Sequence, residues 1–286
     1  MIPNQSDPTK IDPESFNAIA QLAYRESGLQ LVAEKTSMIQ SRLRNRLKAA
    51  GVKDFKEYAK FVCSDIGIAE RRLMISALTT NVSHFFREQH HFDILSNQVL
   101  PSMISSLRNG RRFRLWSAGC SNGQEAFSVA MTVLECLPDA HQLDIKILAT
   151  DIDPKVVDFG RAAVYPERLI SGIPKPMLSK YFTIEASGSE PLYKATAAMQ
   201  SMVAFKELNL LAKWPMKNEM DIIFCRNVVI YFDGQTQDAL WPRFNRQLSP
   251  NGHLFLGHSE RISDPSNFGF INDGPTSYRP TTASTS

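Results

Sequence analysis

The chain has little of what would mark a secreted, membrane-spanning or metal-binding protein. Its four cysteines lie far apart, without the paired spacing of a zinc site or the density of a disulfide-rich domain. No apolar run approaches the ~20 residues that a membrane helix needs. No basic segment followed by an apolar stretch begins the chain, so no export signal is visible. These absences favour a cytoplasmic protein with reduced cysteines and no direct membrane insertion.

The net charge of the 286 residues is small, and the charge is unevenly placed along the chain. The formal net charge is +3; residues 1–90 hold 13 Lys/Arg against 10 Asp/Glu, whereas residues 91–286 hold 19 of each. Residues 35–53 carry six basic side chains and no acidic one. The low net charge and the lack of a basic groove interleaved with aromatic residues argue against a nucleic-acid partner. The local basic segment favours an acidic protein surface.

Residues 1–90 are expected to form a small all-helical domain, because four runs in them repeat apolar residues at helical spacing. Pro13 follows Asp12 as the first-turn residue of one helix, and Asp54 is placed to cap another. The helix expected over residues 35–50 carries five basic residues, and its apolar stripe consists of Ile39, Leu43 and Leu47.

Residues 91–286 predict a Rossmann-like, doubly wound α/β domain, because short apolar strands alternate with helices. The expected strands cover residues 113–118, 144–150, 202–207, 221–225 and 253–257. One segment does not fit this alternation. About residues 180–200 have the pattern of an inserted β-hairpin with Ser187 and Gly188 at its turn.

Polar residues follow the first two predicted strands, at the edge where open α/β sheets bind ligands. The turn that begins at Ser117 contains two glycines, but it has neither the G-x-G-x-x-G pattern nor a P-loop lysine, so it is a ligand turn or a structural one. Asp151 could accept the hydroxyls of a ribose or cap the next helix. Asp153 suits capping better, because Pro154 follows it.

Two other polar stretches could have either a functional or a purely structural role. Arg226 and Asn227, directly after the fourth predicted strand, could bind a ligand or form a salt bridge and a helix cap. Residues 79–88 (TTNVSHFFRE) hold more polar, aromatic and cationic groups than a domain linker needs. The histidines of residues 84–91 are not spaced with other ligands, so they are read as structural and no metal site is expected.

The basic helix presents charge on both sides of its apolar stripe. At 100° per residue, Arg42 and Arg46 fall on one side, and Arg44 and Lys48 fall on the other. These flanks are either a solvated face or a contact surface for an acidic partner.

Five stretches occur in a fixed order over about residues 76–260: TTNVSHFFRE, WSAGCSNGQEAFSVAM, ATDID, LNLLAKWP with IIFCRNVVIYF, and GHSE. Together they resemble the chemotaxis receptor methyltransferase family (CheR), which the helical N-terminal domain also fits. The resemblance implies an S-adenosylmethionine-dependent methyltransferase domain that forms methyl esters on glutamate side chains of methyl-accepting chemotaxis receptors, leaving S-adenosylhomocysteine. The implied partner is the cytoplasmic helical region of such a receptor, and the enzyme is expected to be a monomer.

The resemblance also implies roles for individual residues. Those implied to bind the cofactor are Asn81, Ser83, Arg87, Gln124, Asp151, Asn209, Leu210, Arg226 and Asn227. Arg87 and Tyr231 are the candidates for orienting the incoming carboxylate. The candidates for contacting the receptor are Arg42, Arg44, Arg46 and Lys48.

Gln124 stands where members of the family often carry a carboxylate that would face the methionine ammonium group. Its amide oxygen can still accept that hydrogen bond, without the assistance of charge. Because a glutamate acceptor is already ionised at pH 7, no general base is needed. Catalysis would then depend on alignment and on the exclusion of water.

Three alternative functions differ from receptor methylation. A non-catalytic S-adenosylmethionine-binding adaptor would bind receptors without methylating them. An RNA methyltransferase would share the sheet and use the basic helix on phosphates. A nicotinamide oxidoreductase is disfavoured by the sequence of the turn after the first strand.

Overall fold

The computed structural model describes residues 10–185 and 190–281, which form two compact units. The helical unit runs to Thr80 and includes Tyr231–Thr236; the α/β unit comprises Asn81–Ile230 and the chain from Gln237 onward. Within the described ranges, no helix is long and apolar enough to cross a membrane.

The division falls after Thr80, earlier than the boundary after residue 90 that the sequence predicted. The reason is that residues 81–90 are bonded to the α/β unit. Ser121 Oγ donates to the Asn81 carbonyl at 2.8 Å, and Phe86 N donates to Ser128 Oγ at 3.0 Å.

The helical unit contains the four helices that the apolar periodicity predicted. They are α1 (Pro13–Ser27), α2 (Thr36–Ala50), α3 (Phe55–Cys63) and α4 (Ile68–Leu78). The expected N-caps are confirmed, because the carboxylates of Asp12 and Asp54 accept backbone N–H groups of their own first turns. Gly51 ends α2 in the left-handed conformation, with a φ of 70°. The whole predicted stripe of α2 is buried.

The α/β unit alternates strands and helices. Its strands are β1 (Phe113–Ala118), β2 (Ile145–Asp151), β3 (Val164–Pro166), β4 (Phe182–Glu185), β5 (Leu192–Ala195), β6 (Val203–Glu207), β7 (Met220–Cys225), β8 (Leu248–Leu256), β9 (Phe270–Asn272) and β10 (Ser277–Pro280). Its helices are α5 (His90–Ile94), α6 (Leu100–Arg108), α7 (Gln124–Cys136), α8 (Pro154–Ala162), α9 (Lys175–Tyr181), α10 (Ala197–Met202) and α11 (Gly234–Gln247), of which the residues from Gln237 onward belong to this unit. A π-helical turn, Leu95–Val99, joins α5 to α6.

Seven strands form one sheet in the order β6-β2-β1-β7-β8-β10-β9. The first five pair with one another in parallel, whereas β10 is antiparallel to both β8 and β9. The mostly parallel, doubly wound sheet is therefore confirmed. The antiparallel end was not predicted, because β9 and β10 are only three and four residues long and lack an apolar run.

The inserted hairpin is also confirmed. β4 and β5 pair antiparallel, and β3 joins β5 to make a separate three-stranded sheet. Its predicted turn at Ser187 and Gly188 lies outside the described residues.

The core of the α/β unit surrounds α7, in which eleven of the thirteen residues are buried. This helix follows β1 through the glycine turn, so its first residue, Gln124, lies at the carboxyl end of the parallel strands. Burial of its first eleven residues fixes the position of that first turn, because a core helix cannot shift without opening cavities.

Candidate functional site

The turn after β1 is held tightly against its neighbours. The N–H groups of Gly119 and Cys120 both donate to the Thr150 carbonyl at 2.8 Å. Gly119 has a φ of 94°, and a Cβ there would lie 2.2 Å from Cγ2 of Val228. Only glycine fits this close approach, which brings the turn against the segment that follows β7.

Asp151 ends β2 beside this turn. Its two oxygens accept the N–H groups of Ser121 at 2.9 Å and of Asp153 at 3.0 Å. Burial raises the pKa of the Asp151 carboxyl, and these N–H groups act against that rise. The side chain is 8% exposed, so a ligand that reaches it would meet a desolvated acceptor.

Asp153 performs the capping role that the sequence favoured for it. Its carboxylate accepts the N–H of Lys155 at 2.9 Å in the first turn of α8. The other oxygen accepts the side-chain amide of Asn81 at 2.7 Å. The two neighbouring carboxylates thus have separate partners, and Asp151 is not needed as the helix cap.

Gln124 carries a buried hydrogen-bonding atom without a partner. Its Nε2 donates to the Ser83 carbonyl at 3.2 Å, which fixes the orientation of the amide. Oε1 of the same side chain is buried and has no hydrogen-bond partner among the described residues. Buried polar atoms are nearly always satisfied, so this oxygen is a candidate acceptor for a ligand donor.

Arg226 lies in the interior at the end of β7, with a side chain that is 2% exposed. Nε donates to Glu125 Oε2 at 2.8 Å, Nη1 donates to His91 Nδ1 at 3.1 Å, and Nη2 donates to the Arg87 carbonyl. All three nitrogens are therefore engaged within the protein. The arginine ties the segment that begins at Arg87 to the sheet.

His91 is the neutral member of this group. Burial first, and then the charge of Arg226, lower the pKa of His91 to about 2. Because Nδ1 faces a guanidinium donor, the ring proton lies on Nε2, which is 3.0 Å from the Thr276 hydroxyl. The reading of this histidine as structural agrees with that geometry.

Asn227 is held by a carboxylate to which the sequence analysis gave no role. Glu260 is 2% exposed and accepts the N–H groups of Asn227 and Val228, both at 2.8 Å. It also accepts the N–H groups of Gly257 and Ile230. Burial raises the pKa of Glu260, and the four backbone donors oppose the rise. The GHSE stretch was its only signal in the sequence.

Glu88 is a second carboxylate that sequence reasoning missed. Its Oε1 accepts N and Nδ1 of His258, each at 3.1 Å, and Asn227 Nδ2 lies 3.5 Å from the same oxygen. Nε of Arg87, the residue before Glu88, lies 3.9 Å from this carboxylate, and its Nη1 donates to the Val82 carbonyl. Its side chain is a quarter exposed.

Backbone strain concentrates around these residues. Phe86, Glu88, Ser121 and Asn227 all have φ between 49° and 59°, in the left-handed region that non-glycine residues seldom adopt. Each such residue costs on the order of 1–3 kcal/mol and persists only when its surroundings impose it. Strain of this kind is typical of ligand sites.

The loop after β6 completes the edge. Leu208 N donates to the Asp151 carbonyl at 2.9 Å, and Asn209 Oδ1 accepts the N–H of Leu211 at 2.9 Å. Leu210 is buried, and its carbonyl accepts Trp214 Nε1 and Arg243 Nη1. The structure therefore brings together, at one edge of the sheet, all nine residues predicted to bind the cofactor.

In the helical unit, two of the four predicted receptor-contact residues have internal partners. Arg42 Nη1 donates to the carbonyls of Leu78 and Thr79, which end α4. Arg46 forms a two-bond ion pair with Glu70, at 2.9 and 2.5 Å. The expectation that both are available to a partner needs correction, because their guanidinium groups hold α2 to α4. Arg44 and Lys48 are exposed.

Tyr231 belongs to the helical unit, where its carbonyl accepts the N–H of Gln30 at 3.2 Å. Its role in orienting a carboxylate stays a prediction.

Two family models match the chain, one for each unit. The first, described as "CheR methyltransferase, all-alpha domain", matches residues 14–79, and the second, "CheR methyltransferase, SAM binding domain", matches residues 81–275. The chain is 44% identical over 262 residues to a "Probable chemotaxis protein methyltransferase" of Rhizobium etli, covering 91% of this chain and 97% of that protein. It is 37% identical over 249 residues to the "Chemotaxis protein methyltransferase" of Escherichia coli, covering 87% and 84%. A relative of the same name in Borreliella burgdorferi is 36% identical over 273 residues, covering 94% and 95%.

Proposed function

Because this chain belongs to the CheR methyltransferase family, we propose that it transfers methyl groups from S-adenosylmethionine to glutamate side chains of chemotaxis receptors. The methyltransferase activity and the cofactor follow from the family. The acceptor group and the receptor are the parts proposed. The observation that carries the proposal is the match to chemotaxis protein methyltransferases across both units and nearly the whole length of the relatives.

The residues at the carboxyl edge of the sheet fit this cofactor. Gln124 Oε1 is a buried acceptor without a partner, suited to the methionine ammonium group. Asp151 offers a desolvated carboxylate to the ribose hydroxyls. Gly119 packs so closely against Val228 that no side chain fits at this position of the turn after β1. When bound, S-adenosylmethionine supplies a methyl carbon made electrophilic by its sulfonium group.

The chain's own task is alignment. A glutamate acceptor is ionised at pH 7, so no side chain has to remove a proton. Arg87, a quarter exposed, is proposed to orient the incoming carboxylate. Arg226 is a positioning residue in this proposal, because it holds the Arg87 carbonyl from within the protein. Tyr231 remains the second candidate for orienting the carboxylate, on the resemblance alone.

Gln124→Glu is expected to bind S-adenosylhomocysteine at least as tightly as the wild type, because the added charge would face the ammonium group. The unliganded variant should be less stable, since its buried carboxylate would replace the amide that donates to the Ser83 carbonyl. Calorimetry and thermal unfolding with and without the ligand measure both effects. Gln142→Glu, on an exposed residue, is the control. A tenfold loss of affinity would mean that residue 124 does not face the ammonium group.

The double variant Arg44→Ala, Lys48→Ala is expected to lower receptor methylation at least about tenfold. Both side chains are exposed cations four residues apart on α2, suited to steering an acidic helical substrate. Stability and cofactor affinity should not change. Lys56→Ala with Lys60→Ala, exposed cations of α3, is the matched control. An equal loss of receptor methylation in both double variants would show that total charge matters, and not a specific contact surface on α2.

Arg46 cannot serve in that test. Removing it would leave Glu70, which also accepts the Tyr58 hydroxyl at 2.8 Å, without its charged partner.

Transfer of tritiated methyl groups to receptor-containing membranes tests the function itself. A glutamyl methyl ester releases methanol in mild alkali, so alkali-labile label on the receptor supports the proposal. Label on RNA would support the RNA alternative instead. Tight binding of S-adenosylhomocysteine without transfer to any receptor would indicate an adaptor. The proposal also includes a monomeric enzyme in the cytoplasm, where the helical region of such a receptor would be reached.

A further inference from the structure

A groove of about 700 Å³ lies in the α/β unit beside the residues discussed above. Its walls are the segment after β8, which includes His258 and Arg261, the turn between β9 and β10, and His90 of α5. Its volume is in the range of ordinary ligand sites, roughly 300–1,000 Å³. None of the residues proposed to bind the cofactor or to orient the carboxylate lines it.

The groove opens at the same edge of the sheet as the predicted cofactor residues. β10 is antiparallel to β8, and Ser277 at its start pairs with Phe255 near the end of β8. The turn between β9 and β10 therefore lies beside the carboxyl end of β8. The parallel strand β7 ends at that edge too, directly before Arg226 and Asn227.

One carboxylate joins the groove wall to that site. Glu88 Oε1 accepts two hydrogen bonds from His258, which lines the groove, and lies 3.5 Å from the side-chain amide of Asn227. A group bound in the groove would therefore lie close to the edge where the methyl group is transferred.

The charges of the groove point to an anionic occupant. Among the described residues that line it, Arg261 carries the only formal charge at pH 7; none is a carboxylate, although Glu88 contacts the lining His258. The nearby Asp273 is not part of the wall and lies 3.4 Å from His253 Nε2. Arg261 is exposed, and its planar group can bind a carboxylate through two parallel hydrogen bonds.

The wall also contains an unused hydrogen-bonding atom. Nε2 of His90 is buried and has no partner in the part of the chain that the structure describes. A ligand that reached this ring would supply one.

We propose that this groove binds an acidic side chain of the polypeptide substrate, close in space to the glutamate that is methylated, and that Arg261 is its principal contact. The inference rests on the proposed function and adds to it a determinant of substrate specificity. Arg261 would act on the binding of the receptor, not on the cofactor or the reacting carboxylate.

The test is a comparison of Arg261→Glu with Arg112→Glu in the full chain. Arg112 is 70% exposed and lies at the start of β1, on the opposite edge of the sheet. Methylation of receptor-containing membranes gives KM and kcat, and calorimetry gives the affinity for S-adenosylhomocysteine. Arg261→Glu should raise KM for the receptor at least tenfold and leave cofactor affinity within twofold. Arg261→Lys keeps the charge but not the two-bond geometry, so its KM for the receptor should lie between those of the wild type and Arg261→Glu. Arg112→Glu should have the KM, the kcat and the cofactor affinity of the wild type.

A KM for Arg261→Glu within twofold of the wild type would overturn the proposal, and so would an equal rise in Arg112→Glu. Glutarate serves as a probe for a small carboxylate. If it lowers wild-type activity without raising KM for the receptor, the groove serves a small anion instead. A wild-type chain that binds S-adenosylhomocysteine but methylates no receptor would contradict the proposed function itself. An active wild type with an unaffected Arg261→Glu contradicts only the role of the groove.

Discussion

Asp151→Ala is expected to weaken the binding of S-adenosylhomocysteine by about 10- to 150-fold, which corresponds to the ~1.5–3 kcal/mol of a hydrogen bond to a charged group. The carboxylate is 8% exposed at the end of β2, so water would replace it poorly. Titration calorimetry measures the effect directly. Binding within twofold of the wild type would exclude Asp151 from the ribose site.

The same change removes the acceptor of two backbone donors, Ser121 N and Asp153 N. Thermal unfolding must therefore accompany the titration, because a disordered turn would also lose the ligand. Asp158→Ala is the control, since this carboxylate is 71% exposed on α8. If Asp151→Ala has the unfolding temperature of the control and still binds S-adenosylhomocysteine weakly, the lower affinity is caused by the lost contact with the ligand.

Arg226→Met is expected to lower the free energy of unfolding by about 3–5 kcal/mol, the usual effect of removing one partner of a buried ion pair. Glu125 would keep its charge in the interior, with the Ser117 hydroxyl at 2.6 Å as its remaining partner. The Arg87 carbonyl would lose its donor as well. Urea unfolding followed by circular dichroism measures the change.

A double-mutant cycle identifies the cause. Glu125→Gln added to Arg226→Met should recover part of the lost stability, because no uncompensated charge remains. The free energy of unfolding of Arg226→Lys should lie between those of the wild type and Arg226→Met, because an ammonium group cannot reproduce the three directions of the guanidinium donors. A loss below about 1 kcal/mol in Arg226→Met would show that the buried pair is not coupled as its 2.8 Å geometry indicates.

The elements were predictable because their signals are local. Four-residue spacing in α2, the aspartates before α1 and α3, and the apolar run of β1 each act within one turn or one strand. The antiparallel pair β9 and β10 escaped prediction because such short strands are specified by their neighbours in the sheet rather than by their own pattern.

The position of the candidate residues in the fold was predictable, but their hydrogen-bond partners were not. Asp151 and Asn227 follow predicted strands, so their place at the carboxyl edge followed from the expected fold. The partner of Arg226 is Glu125, 101 residues away in the sequence, and no spacing rule relates the two. The same holds for Glu260, whose carboxylate organises the backbone after Asn227.

By itself, the sequence determined that a helical part precedes an α/β part, and that strands alternate with helices in a mostly parallel sheet. Tertiary structure alone decided which partner each charged side chain has. Helical periodicity places Arg42 and Arg46 on one side of α2, but only the packing of α4 supplies Glu70 and the carbonyl groups that engage them. Arg44 and Lys48 have the same chemistry and stay exposed. A long polar side chain is free or committed according to which distant groups the fold brings within ~3 Å, and that distance is absent from any local pattern.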